Sequence, residues 1–121
     1  MLDYTLSLAK AIEYEKGKQR VAAVLVDRWG NTISSGTNSY VKTHPLQKHY
    51  ATKAGNEHRE YLHAEIAAII RAQGLTGKGT TMYIARIKAD GSPALAAPCP
   101  VCQLALAEAG ITNVVYTEAQ E

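Results

Sequence analysis

The sequence predicts an α/β fold of three layers, αβα, around a mixed sheet of four to five strands. Three observations carry that expectation. Val21-Ala22-Ala23-Val24-Leu25-Val26 is a short, unbroken apolar run, the pattern of a strand buried on both faces. The turn-rich stretch Asp27-Arg28-Trp29-Gly30-Asn31 follows it, which implies an antiparallel hairpin into a second strand at 32–37. Beyond residue 60, helical and strand patterns alternate. That order gives β-α-β crossovers, whose strands run parallel and are covered by helices.

The elements can be taken in order. Residues 3–16 read as an amphipathic helix, with Leu2, Leu6 and Ala9 on one side, Leu8, Ala11 and Ile12 adjacent, and Gly17 at its end. The first two strands come next. Residues 39–59 hold Pro45, Gly55 and many polar side chains without a sustained period, and read as a long loop with room for a short helix. A helix at 60–73 presents Leu62, Ile66, Ile69 and Ile70 on one face and is capped by Gly74. Thr81-Met82-Tyr83-Ile84-Ala85 is the third strand. A loop with Gly91, Pro93 and Pro98 leads to a helix at 99–109 ending at Gly110, and 112–117 is a fourth strand.

Composition sets bounds on function. The 121 residues are 46% hydrophobic and 20% charged, which fits one compact domain spanning 1–121 rather than a disordered chain. A net charge of +2 is mild for a dedicated nucleic-acid binder. The N-terminus lacks the basic and apolar regions of a signal peptide, and no apolar run is long enough to span a membrane. The expectation is a cytoplasmic protein without membrane partners. Its two cysteines, Cys99 and Cys102, would then be reduced and able to bind metal.

Two short motifs fall at predicted helix N-termini: His63-Ala64-Glu65 and Pro98-Cys99-Pro100-Val101-Cys102. Cys99 and Cys102 lie one turn apart, so both sulfurs can point the same way. A helix N-terminus favours negative charge and so helps to hold thiolates. One histidine and two cysteines make three ligands, whereas a closed structural zinc site has four. The other histidines, His44, His49 and His58, sit in the long loop without motif spacing. The count favours an open, catalytic zinc with a position left for water. Glu65, two residues from a ligand and not needed for ligation, is the candidate to shuttle protons.

Either motif alone is weak. A structural zinc knuckle or a redox pair would account for the cysteines, but a redox pair leaves His63 and Glu65 without a role. Together, H-x-E and P-C-x-x-C in this order resemble the zinc nucleobase deaminases of the cytidine/deoxycytidylate deaminase superfamily. The element order α-β-β-α-β-α-β is also similar to that family's core, so the resemblance covers nearly the whole chain. It implies a cytidine deaminase-like fold, zinc held by His63, Cys99 and Cys102, and Glu65 as the catalytic proton carrier. It further implies substrate contacts from Asn38, from the backbone of Ala64 and from Pro98, and a homo-oligomer.

The subfamily is divided among signals. The long interval from Asn38 to His63 looks like deoxycytidylate deaminases, and Lys42-Thr43-His44-Pro45 looks like small phage-encoded members of that group. Ile66-Ala67 after His-Ala-Glu looks more like tRNA adenosine deaminases. The loop at 39–59 carries four bases, Lys42, Lys48, Lys53 and Arg59, against one acid, Glu57. Lys42 and Lys48 are therefore candidate phosphate contacts, against the plainer reading of a solvated loop. Gly74-Leu75-Thr76-Gly77-Lys78-Gly79-Thr80 is not a phosphate loop, because it follows a helix and precedes a strand.

The expected activity is hydrolytic deamination of a cytosine nucleotide or nucleoside, with dCMP favoured by the basic loop. Alternatives are a base in single-stranded nucleic acid, which needs an unpaired base and a positive groove, and a free purine. From a different class, a non-catalytic zinc-binding module would be expected to lack Glu65 or the open ligand position, and the sequence keeps both.

Overall fold

The computed structural model describes residues 1–56 and 61–118. In chain order these form α1 (Leu2–Lys10), β1 (Arg20–Val26), β2 (Thr32–Thr37), α2 (Pro45–Lys53), α3 (Ala64–Ala72), β3 (Thr81–Ile87), β4 (Pro93–Ala94), α4 (Pro100–Glu108) and β5 (Asn113–Tyr116). The expected hairpin is present: β1 and β2 are antiparallel, with Ala23 opposite Gly36. On its other side β1 pairs antiparallel with β3, so β2 and β3 run parallel with β1 between them. The second crossover, through α4, places β5 parallel beside Thr81–Ile84 of β3.

The far edge of β3 is shared. Once β5 ends, the two-residue β4 takes over opposite Arg86 and Ile87, a strand the sequence does not announce. Thr117 joins the two pairings. Its buried hydroxyl accepts from the Arg86 N–H (3.1 Å) and donates to the Ala94 carbonyl (2.7 Å). Its own carbonyl accepts from the Ala96 N–H (2.9 Å).

Helices cover both faces of the sheet. On one face Ala9 of α1, with Leu6 and Leu8 beside it, packs on Ala22, Ala85 and Ile87. On the other, α3 and α4 bury Ala64, Ala68 and Leu106 against Ala23, Leu25, Met82 and Ile84. Outside that layer α2 packs Tyr50 and Ala51 against Ile66, Val101, Cys102 and Ala105.

The first helix stops at Lys10 rather than 16. Beyond half-buried Ile12, residues 13–19 are exposed, so no packing holds a further turn, and Glu13 and Glu15 would oppose the negative helix end. The long loop contains a full nine-residue helix, α2. His44 caps it, Nδ1 accepting from the Leu46 N–H (3.0 Å), and Pro45 opens it. The third helix begins at Ala64, because His63 just before it is extended (φ −83°, ψ 153°). Thr43 and Tyr61 form an isolated bridge, and the Leu62 N–H donates to the Lys42 carbonyl. Its C-cap is Gln73 in the left-handed region (φ 50°), followed by Gly74.

Gly36 sets how closely α3 can lie on β2. A Cβ there would stand 2.6 Å from the Ala64 carbonyl oxygen and 2.7 Å from the Ala68 nitrogen, so only glycine fits. Ser34 adds a hydrogen bond from its hydroxyl to the Ala68 carbonyl (2.7 Å). The first turn of α3, which carries His63 and Glu65, is thereby pressed against the sheet.

Candidate metal centre and cavity

His63 and Cys99 are the N-cap residues of α3 and α4, and Cys102 lies in the first turn of α4. The two helix N-termini converge, and the ligand atoms of His63, Cys99 and Cys102 all lie within 4.8 Å of one another. His63 Nδ1 is 3.2 Å from Cys102 Sγ and 3.5 Å from Cys99 Sγ. Zinc bonds of about 2.3 Å to sulfur and about 2.0 Å to nitrogen put tetrahedral donors about 3.5–3.8 Å apart. The spacing and the N,S,S donor set therefore fit Zn2+, with one tetrahedral position left over. Among the described residues no fourth histidine, cysteine, aspartate or glutamate joins the cluster.

The two thiols are held differently. A hydrogen bond from Cys102, and then His63, pull the Cys99 thiol down to about 3. The thiol of Cys102 is pushed up by Cys99 and by burial. Cys99 is thus ready as a thiolate, and a dication would draw the proton from Cys102 as well. Glu65 is 6% exposed and bonds to Cys102. Burial raises its carboxyl above the usual range, so it can hold a proton where an exposed glutamate would not.

This centre forms one end of a cavity of about 300 Å³. Of the residues singled out in the sequence, His63, Ala64, Glu65, Cys99 and Asn38 line it. Ala64 is the first residue of α3, so its N–H has no acceptor within the helix. The Asn38 amide is anchored to β1: Oδ1 accepts from the Val21 N–H (2.9 Å), and Nδ2 donates to the Gln19 carbonyl (3.0 Å). Pro98 does not line the cavity, although both its neighbours do, and its carbonyl accepts from Gln103 Nε2 (3.0 Å).

Lys42 and Lys48 are likewise outside the lining. Lys48 faces a separate surface depression on α2 with Pro45, His49 and Thr52. Lys53 pairs with Glu108. Arg59, Glu57 and His58 fall outside the described residues.

Sequence reasoning missed Gln47. It is fully buried on α2, and its Oε1 accepts from the His63 backbone N–H (3.1 Å). A buried glutamine that meets a metal ligand's main chain fixes where the imidazole starts. Replacing it as Gln47→Leu keeps the volume but removes the acceptor. Zinc affinity, read by chelator competition, is expected to fall about 10-fold, with partial recovery in Gln47→Glu. Unchanged affinity would reduce Gln47 to packing.

Comparison with known proteins agrees with this geometry. The crystal structure of a mutant cytidine deaminase from Mycobacterium tuberculosis superposes with a TM-score of 0.55 at 17% identity, covering 98% of this chain and 87% of that one. That likeness establishes the fold. A search of curated proteins finds no match. The profile of the cytidine and deoxycytidylate deaminase zinc-binding region matches residues 1–118. With nearly its whole length matched, and a His-Cys-Cys cluster fit for zinc where two helices meet, the chain belongs to the cytidine and deoxycytidylate deaminase zinc-binding family.

Proposed function

We propose that this protein hydrolytically deaminates the cytosine ring of a nucleotide or nucleoside, releasing the uracil product and ammonia. The observation that carries the reading is the buried Glu65 carboxyl beside the three-ligand cluster, at the end of a cavity of about 300 Å³. His63, Cys99 and Cys102 would hold the metal. A bound zinc ion supplies Lewis acidity that brings the pKa of water down toward neutrality.

The protein's own groups do the rest. Glu65 accepts a proton from the attacking water and delivers it to ring nitrogen N3 as oxygen bonds to C4. It then takes the second proton of that water to the exocyclic amine, and the C4–N bond breaks to release ammonia. The Ala64 N–H would receive the pyrimidine carbonyl. Asn38, with one amide hydrogen and one oxygen lone pair uncommitted by the two bonds described, would meet the sugar.

The domain is taken to be 1–121 and the setting cytoplasmic, where the thiols stay reduced. No described helix is long and apolar enough to cross a membrane.

The test is a panel of cytidine, deoxycytidine, CMP, dCMP, guanine, adenosine and a cytosine-containing single-stranded oligonucleotide, read by mass spectrometry with Glu65→Ala as control. Conversion of a cytosine nucleoside or nucleotide that the variant lacks is the expected result. Conversion of the oligonucleotide alone would move the protein to nucleic-acid editing, and silence across the panel would sink the reading.

A further inference from the structure

One cation faces the cavity. Among the described residues lining it, Arg86 is the sole lysine or arginine. It sits near the end of β3, two residues past Ile84 on the same face, hence about 7 Å further along the strand. Its main chain lies between Val21 of β1 and Ala94 of β4, and its N–H donates to the Thr117 hydroxyl. The guanidinium therefore projects from a stiff base.

The other described arginines all have partners. Arg20 donates to the Lys88 carbonyl, Arg28 lies over Trp29, and Arg71 donates to the Ser35 carbonyl (3.0 Å). Arg86 is half-buried as a residue, and its guanidinium has no hydrogen bond or ion pair with any described residue. A cation that lines a cleft and has no partner in the protein is free to pair with an anionic group of a ligand. At the metal cluster two thiolates would cancel the charge of a bound zinc ion, so that part of the site offers a phosphate no net cation, and the base and sugar of a nucleoside offer Arg86 no negative charge.

We propose that Arg86 is a specificity-determining residue that pairs with the phosphate of a mononucleotide, so that the enzyme selects the cytosine nucleotide over its nucleoside. This rests on the deaminase reading above. The planar guanidinium matches two phosphate oxygens at once, which a lysine cannot reproduce. The cavity volume of about 300 Å³, at the lower end for ligand sites, has room for one nucleotide.

The test compares kcat/KM for dCMP, deoxycytidine and the oligonucleotide in the zinc-loaded wild type, Arg86→Gln and Arg86→Lys, with melting temperatures alongside. Wild type should prefer dCMP. Arg86→Gln should lose about 10–100-fold on dCMP, chiefly through KM, with deoxycytidine changed less than about twofold and Arg86→Lys in between. Equal losses on both substrates would make Arg86 a structural support and overturn the proposal. No loss on either, or a wild-type preference for deoxycytidine or the oligonucleotide, would overturn it too. In those cases deamination itself stands, whereas inactivity of wild type on every substrate overturns both readings.

Discussion

Glu65→Gln is expected to lower kcat by about three to four orders of magnitude while zinc content stays at the wild-type level. The substitution keeps the shape of a side chain that is buried and bonded to Cys102, so the fold and the metal cluster have no reason to change. It removes the ability to accept and return a proton. Burial is what suits the native carboxyl to this role. Its raised pKa lets it keep the proton it takes from water until the ring nitrogen or the amine claims it. Metal analysis beside single-turnover kinetics checks this. A Gln variant with near-normal kcat would transfer the proton role to another group.

Cys102→Ala should abolish zinc binding and lower the melting temperature by about 10 °C or more. The sulfur lies fully buried among Ile66, Val101 and Ala105, so its loss leaves a small void as well as an incomplete ligand set. A ligand at a hundred times its Kd stabilises by about 2.7 kcal/mol, and each kcal/mol is worth roughly 4 °C in a domain of this size. Chelation should therefore lower the melting temperature of wild type and leave the variant unmoved. Full zinc occupancy in Cys102→Ala would contradict the ligand assignment.

The sequence made the hairpin, both crossovers and the metal cluster legible because each rests on a local pattern. An apolar run marks β1, Asp27–Asn31 marks the turn, and the two motifs sit where helices begin. α2 was hidden for a physical reason. Its buried positions are Gln47, Tyr50 and Ala51, and a glutamine at the head of the stripe erases the apolar period. The glutamine is there to meet His63, which no local pattern can announce. The basic loop pointed toward Lys42 and Lys48 because charge was the sole clue available. The cation that does line the cavity, Arg86, belongs to a strand whose alternation reads as ordinary sheet.

The Thr117 hydroxyl bridges the main chains of Arg86 and Ala94, and its carbonyl holds Ala96, so the wall of the cavity at 95–97 hangs partly on a residue just past β5. Docking of that segment and occupancy of the cavity are then thermodynamically linked, each strengthening the other by the same factor. A saturating cytosine-nucleotide analogue should slow amide hydrogen exchange at Ala96 and Thr117 together, even though Thr117 does not line the cavity, and slowing at Ala96 alone would show that the two move independently.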